Sequence, residues 1–178
     1  IGHKKGKKPT VMLASHMDEI GIMIEFIEEK GWIKFSPVGF IEPLTLLGER
    51  VRIRTKKGFI NGVVTSKEIA DDSEVKELPE IKKLYVDTGL SKKELIKLDV
   101  EIGNYMYIVI NSFYLGNKKM IAGKALDDRV GCYILLEIAK SLKNQKSDIY
   151  YVFTVQEEVG LYGAKTSVYK LDPDYAII

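Results

Sequence analysis

The sequence holds one cysteine, Cys132, in 178 residues. A lone thiol excludes an internal disulfide framework and fits a reducing compartment. Cys132 lies in "VGCYILLEIAK", an apolar helical pattern, and reads as a buried, inert thiol rather than a nucleophile. Histidine is nearly as scarce: His3 and His16 are the only two. No run of 18 apolar residues occurs, so no hydropathy-defined membrane span is expected, and no signal-peptide pattern opens the sequence. An excess of one charge is missing as well. Lys and Arg total 27 against 25 Asp and Glu, and the lysines scatter rather than forming a stripe interleaved with aromatics. Nucleic acid is therefore not an expected partner. GxGxxG, P-loop and GxSxG patterns are absent, which sets aside dinucleotide binding, P-loop phosphate binding and nucleophile-elbow chemistry. These absences together lead to an expectation of a cytoplasmic protein with no membrane partner.

What is present is an ordinary globular composition, 46% hydrophobic and 29% charged. The length predicts one domain, or one with a smaller companion. "TVMLASH" reads as a buried strand, and "IGIMIEFIEE" with "GWIKFSPVG" as a hairpin about Lys30-Gly31. Over 37–115 the pattern shifts to short strands of alternating charge with glycine turns, which predicts a small β-barrel. Within it, Ser91 and Glu94 in "SKKEL" have the spacing of a capping box. After 116 a helix, a strand, a second helix and the start of another strand follow, the order of a mainly parallel sheet covered by helices. The expected fold class is thus α/β, with residues 1–36 and 116–178 forming the sheet domain and 37–115 an inserted barrel. The first residue is Ile1, and the sequence stops in the strand-like "DYAII". Both ends lead to the expectation that the chain is part of a longer polypeptide.

Three short motifs carry polar chemistry beside apolar segments: "SHMDE" (15–19), "GKALDDR" (123–129) and "VQEEVG" (155–160). His16 and Asp18 are two apart, so on an extended chain they share a face. They are either a satisfied histidine at a strand end or a metal ligand with its orienting carboxylate. Asp127 and Asp128 precede a helix, where one aspartate serves as a cap and two exceed what a cap needs. Glu157 and Glu158 follow an apolar strand, where adjacent carboxylates are costly unless solvated, paired or bound to metal. One histidine with carboxylates from separate segments suits a divalent ion such as zinc, cobalt or manganese. A further carboxylate that binds no metal is what metal-assisted hydrolysis requires as acid and base.

With "LASHMDEIGIMI", "VGFIEPLTLLGERVRIRTKKGFINGVV", "LYVDTG", "IAGKALDDRVGCYILLEIAK" and "FTVQEEVGLYGA" in order, the sequence resembles the TET or glutamyl-aminopeptidase-like dinuclear metallopeptidases, also called deblocking aminopeptidases. Some members of that family were formerly labelled endoglucanases. The resemblance covers essentially the whole chain. It implies a zinc-peptidase-like α/β domain and two divalent ions per subunit, zinc or cobalt. His16 would bind one ion, Asp18 would orient that histidine, Asp127 would bridge both ions, and Glu158 would bind one. Glu157 would be the general acid/base toward a metal-activated water, and a non-proline cis peptide would join Asp127 to Asp128. Further Asp and His ligands would fall beyond residue 178. The barrel would be a dimerisation domain, assembly would run through dimers to a tetrahedral dodecamer, and substrates would be short peptides. Two alternatives remain at this point: a non-catalytic fragment or assembly protein on the same fold, and a glycoside hydrolase.

Overall fold

Apolar runs in this chain become two kinds of strand, one buried in a parallel sheet and one curled around a barrel. The computed structural model describes residues 8–74, 77–143 and 146–178. His3 lies outside the described residues. In chain order the elements are β1 (Thr10–His16), β2 (Gly21–Ile27), β3 (Ile33–Val38), α1 (Pro43–Leu46), β4 (Arg50–Thr55), β5 (Gly58–Ser66), α2 (Lys67–Ala70), a 3-10 turn (Ile81–Lys83), β6 (Leu84–Asp87), α3 (Lys92–Lys97), β7 (Tyr105–Ile108), β8 (Phe113–Tyr114), β9 (Ile121–Ala122), α4 (Leu126–Ser141), β10 (Asp148–Thr154), α5 (Tyr162–Leu171) and β11 (Tyr175–Ile177). Two compact units result: the segment up to Glu19 with Ala125–Ile178, and Ile20–Lys124.

In the first unit β1 is the central strand of a parallel sheet ordered β10-β1-β11. A central parallel strand is covered on both faces, which accounts for the nearly unbroken apolar run of "VMLA". Met12 is fully buried there. Helices α4 and α5 pack on this sheet. Of the periodic apolar positions on α4, Leu135 is buried, whereas Val130 and Ile134 are each 50% exposed. Amphipathic spacing marked that face as apolar without showing what lies against it.

The second unit is a closed barrel in the order β2-β3-β6-β5-β4-β7. Alternation along each strand sends one set of side chains inward, and Ile22, Ile24, Ile33, Phe35, Val51, Ile53, Val64, Val86 and Met106 fill the interior. The β2–β3 hairpin turns through Gly31 at φ +97, and a Cβ there would run into the Leu90 carbonyl oxygen. Only glycine meets both demands. The capping box at α3 forms, with the Ser91 N–H donating to Glu94 Oε2 at 2.9 Å.

The observed division differs from the expected one. Residues 20–36 and 116–124 group with the barrel, and the expected boundary at 36/37 falls inside β3. The reason is pairing: β2 bonds to β3 on one side and β7 on the other, and so closes the barrel. An isoleucine-rich strand reveals that it will be buried, but not which sheet will receive it. Among the described residues no helix is long and apolar enough to cross a membrane.

Candidate metal centre

Because β1 and β10 run parallel, their carboxyl ends emerge at the same edge, the position where open α/β sheets present ligand sites. Strand β1 ends with Ser15 and His16, both buried. Beyond it the Met17 N–H still donates to Thr154 O at 2.8 Å, which keeps the departing chain beside β10. Strand β10 stops at Thr154, so Glu157 and Glu158 lie beyond it in irregular backbone, with Gln156 at φ 62. Strand alternation therefore does not aim the two glutamates. The loop brings them together instead: ligand atoms of His16, Glu157 and Glu158 all lie within 4.8 Å of one another.

Helix α4 supplies the fourth group. His16 Nε2 is 3.0 Å from Asp127 Oδ1 and 3.7 Å from Glu157 Oε2. The Asp127-Asp128 peptide is cis, and both residues have non-helical dihedrals. The two aspartates then divide the work. Asp128 acts as the helix cap, its Oδ1 accepting the Gly131 N–H at 3.1 Å. Asp127 faces His16 with its side chain 92% exposed.

Asp18 closes the arrangement from the other side of the imidazole. His16 Nδ1 is 3.2 Å from Asp18 O and 3.6 Å from Asp18 Oδ1. Asp18 Oδ2 accepts the Glu158 N–H at 3.3 Å and so ties the β1 exit to the β10 exit. Asp18 Oδ1 is buried and makes no hydrogen bond. All five residues singled out in the sequence thus meet at one edge of one unit. Sequence reasoning passed over three neighbours. Arg129 Nε donates to Met17 O at 3.2 Å, and its guanidinium reaches Glu19 at 3.7 Å. Ser15 Oγ donates to Asp128. The available signal was adjacency, since each sits inside one of the polar motifs. Cys132 is partly exposed rather than buried, and its thiol donates to His16 O at 3.2 Å. Helical periodicity placed it on an apolar face without showing that this face meets the backbone of the site.

The electrostatics follow from crowding. Burial pulls the His16 pKa down, but the hydrogen bonds to Asp127 and to Asp18 O, with the charges of Glu157 and Asp127, outweigh it and leave the net shift upward from 6.5. Burial first, then repulsion from Glu157, pushes Glu158 upward from 4.5, with the His16 charge opposing. The surrounding carboxylates thus favour the protonated form of His16. A divalent ion suits the same donor set better. With Nδ1–H donated to Asp18 O at 3.2 Å, the Nε2 lone pair faces Asp127 and Glu157, with Glu158 in the same cluster, a set of nitrogen and oxygen donors that zinc and cobalt accept. The residues present therefore fit a metal.

The profile of the M42 glutamyl aminopeptidase family matches residues 1–178. The lysyl aminopeptidase of Pyrococcus furiosus is 35% identical over 184 residues, covering 99% of this chain and 52% of the relative. The solved aminopeptidase APDkam598 of Desulfurococcus kamchatkensis is 38% identical with a TM-score of 0.86, covering 97% of this chain and 47% of that one. The TET1 peptidase of Pyrococcus horikoshii, which assembles into a tetrahedron or a large octahedral shell, is 32% identical with a TM-score of 0.84, covering 96% and 52%. The chain spans about half the length of the curated relatives it matches.

Proposed function

The chain belongs to the M42 glutamyl aminopeptidase family, and on that premise we propose that it forms the first part of the active centre of a metal-dependent aminopeptidase acting on short peptides. The observation that carries this reading is the convergence of His16, Asp127, Glu157 and Glu158 at the shared carboxyl edge of β1 and β10. In this assignment His16 and Glu158 would each serve as a ligand to a divalent ion, zinc or cobalt, and Asp127 would be a ligand shared by the pair. When bound, such a pair polarises a water and the scissile carbonyl. Asp18 accepts the His16 Nδ1–H at its backbone oxygen, 3.2 Å away, and its carboxylate, 3.6 Å from Nδ1, backs the ring so that Nε2 is left to face an ion. Glu157, one-third exposed beside His16, takes the proton that the attacking water sheds and returns it to the departing amine. The barrel unit is the self-association module, by analogy with the assembling TET1 peptidase, and dimers of it build toward a tetrahedral dodecamer.

The experiment is a Glu157→Gln substitution in the full chain, assayed on aminoacyl-p-nitroanilides after chelation and after readdition of zinc or cobalt. Wild type should regain activity with metal. The variant should bind metal as wild type does and lose about 10²–10⁴-fold in kcat. Wild type that hydrolyses no aminoacyl anilide with either ion would defeat the proposal, and metal lost together with Glu157 would defeat its role as the base.

A further inference from the structure

Asp127 poses a positioning problem. Its side chain is 92% exposed, so packing does not hold it, and its polar contact among the described residues is with His16 itself. A carboxylate that must stay within reach of a fixed point needs its backbone held from elsewhere. The neighbouring residues supply that hold. Ser15, next to His16 in β1, is 3% exposed. Its hydroxyl lies 2.5 Å from Asp128 Oδ2 and 2.9 Å from the Asp128 backbone oxygen. Asp128 is in turn locked by the Gly131 N–H on Oδ1. A second tie runs alongside, from the Cys132 thiol to His16 O.

We propose that the Ser15 hydroxyl is a positioning residue for the metal centre: it bolts the residue preceding His16 to the residue following Asp127 and thereby sets the spacing of those two ligands. The proposal rests on the metal site assigned above. Ser15 touches no reacting atom. It acts through Asp128, a charge-assisted hydrogen bond at a partly buried position being stiff enough to define distance. Outer partners of this kind change metal affinity about 10–100-fold when removed.

The test is zinc affinity of the full chain, measured by competition with a chromophoric chelator, beside the thermal unfolding of the metal-free chain. Ser15→Ala should weaken zinc binding about 10–100-fold, and Ser15→Thr, which keeps the hydroxyl, should recover most of it. Asp128→Asn, nearly isosteric, should weaken binding too. The double variant Ser15→Ala with Asp128→Asn should be no weaker than the worse single variant, because both break one bolt. A merely structural role would lower the unfolding temperature and leave zinc affinity intact, and that result overturns the proposal. If Ser15→Ala does not fold, Asp128→Asn carries the test, and wild-type affinity in that variant overturns it equally. A wild-type chain that binds no zinc defeats the metal site itself and the bolt with it. That outcome is distinct from a wild type that binds and a variant that matches it.

Discussion

Gly131→Ala tests the packing at the metal centre with a change whose ordinary sign is known. In a helix interior, glycine costs about 1 kcal/mol relative to alanine, so propensity alone makes this substitution stabilising. At Gly131 a Cβ would lie 2.6 Å from Asp128 Oδ2 and 2.7 Å from Ser15 Oγ, and closer still to Asp128 Oδ1. The Asp128 carboxylate must swing away. It then loses its bonds from Ser15 Oγ and the Gly131 N–H. Hydrogen bonds to a charged group are each worth about 1.5–3 kcal/mol, and this group is only partly buried, so the lower part of that range, about 1.5–2.5 kcal/mol each, applies. Subtracting the propensity gain leaves a net loss of about 2–4 kcal/mol. For a chain of this size that is a fall in Tm of roughly 5–15 °C. Calorimetry or denaturant unfolding of the metal-free chain reads it directly. Gly116→Ala is the control, since nothing lies within 4 Å of its Cβ, and it should shift stability by no more than about 0.5 kcal/mol. A Gly131→Ala chain as stable as wild type, or more so, would refute the packing described at this site.

Other consequences can be checked independently. His16 and Glu158 both have folded pKa values above their ordinary ones, so the folded metal-free chain binds protons that the unfolded chain has released. Each contribution is complete below the group's unfolded pKa and is lost as pH rises through its folded pKa. The Tm of metal-free protein should therefore fall as pH rises above 4.5, the ordinary glutamate value, and fall again above 6.5, the ordinary histidine value. His16→Gln should flatten that slope, and an equal slope in both proteins would contradict the shift assigned to His16. Asp18→Ala should weaken zinc binding about 10–100-fold by freeing the His16 ring, and titration with unchanged affinity would remove Asp18 from its orienting role. Met12→Ala empties a fully buried position on the central strand. It should cost about 2–5 kcal/mol, and a loss under about 1 kcal/mol in urea unfolding would show that β1 is not the core strand described.

Much of the fold was legible because it depends on local periodicity. Unbroken apolar residues marked β1, alternation marked the barrel strands, and Ser91 with Glu94 marked the α3 cap. The limits of the barrel were not legible, because β2 joins it through pairing with β7, whose residues lie some eighty positions away in sequence. The site shows the same split. His16, Asp18, Asp127, Glu157 and Glu158 could be named from short motifs, since imidazole and carboxylates in three clusters already specify the donor chemistry of a divalent ion. The sequence by itself thus determined which atoms are available. Tertiary structure decided where they go. Strand alternation would aim adjacent residues such as Glu157 and Glu158 apart, but the chain leaves β10 at Thr154 and, past a left-handed Gln156, both come within reach of His16. Only the fold separated Asp127, which faces the imidazole, from Asp128, which caps α4 and bonds to Ser15. The physical reason is range. Composition and spacing act along the chain, while the direction of a side chain at a loop or helix start is set by partners more than a hundred residues distant.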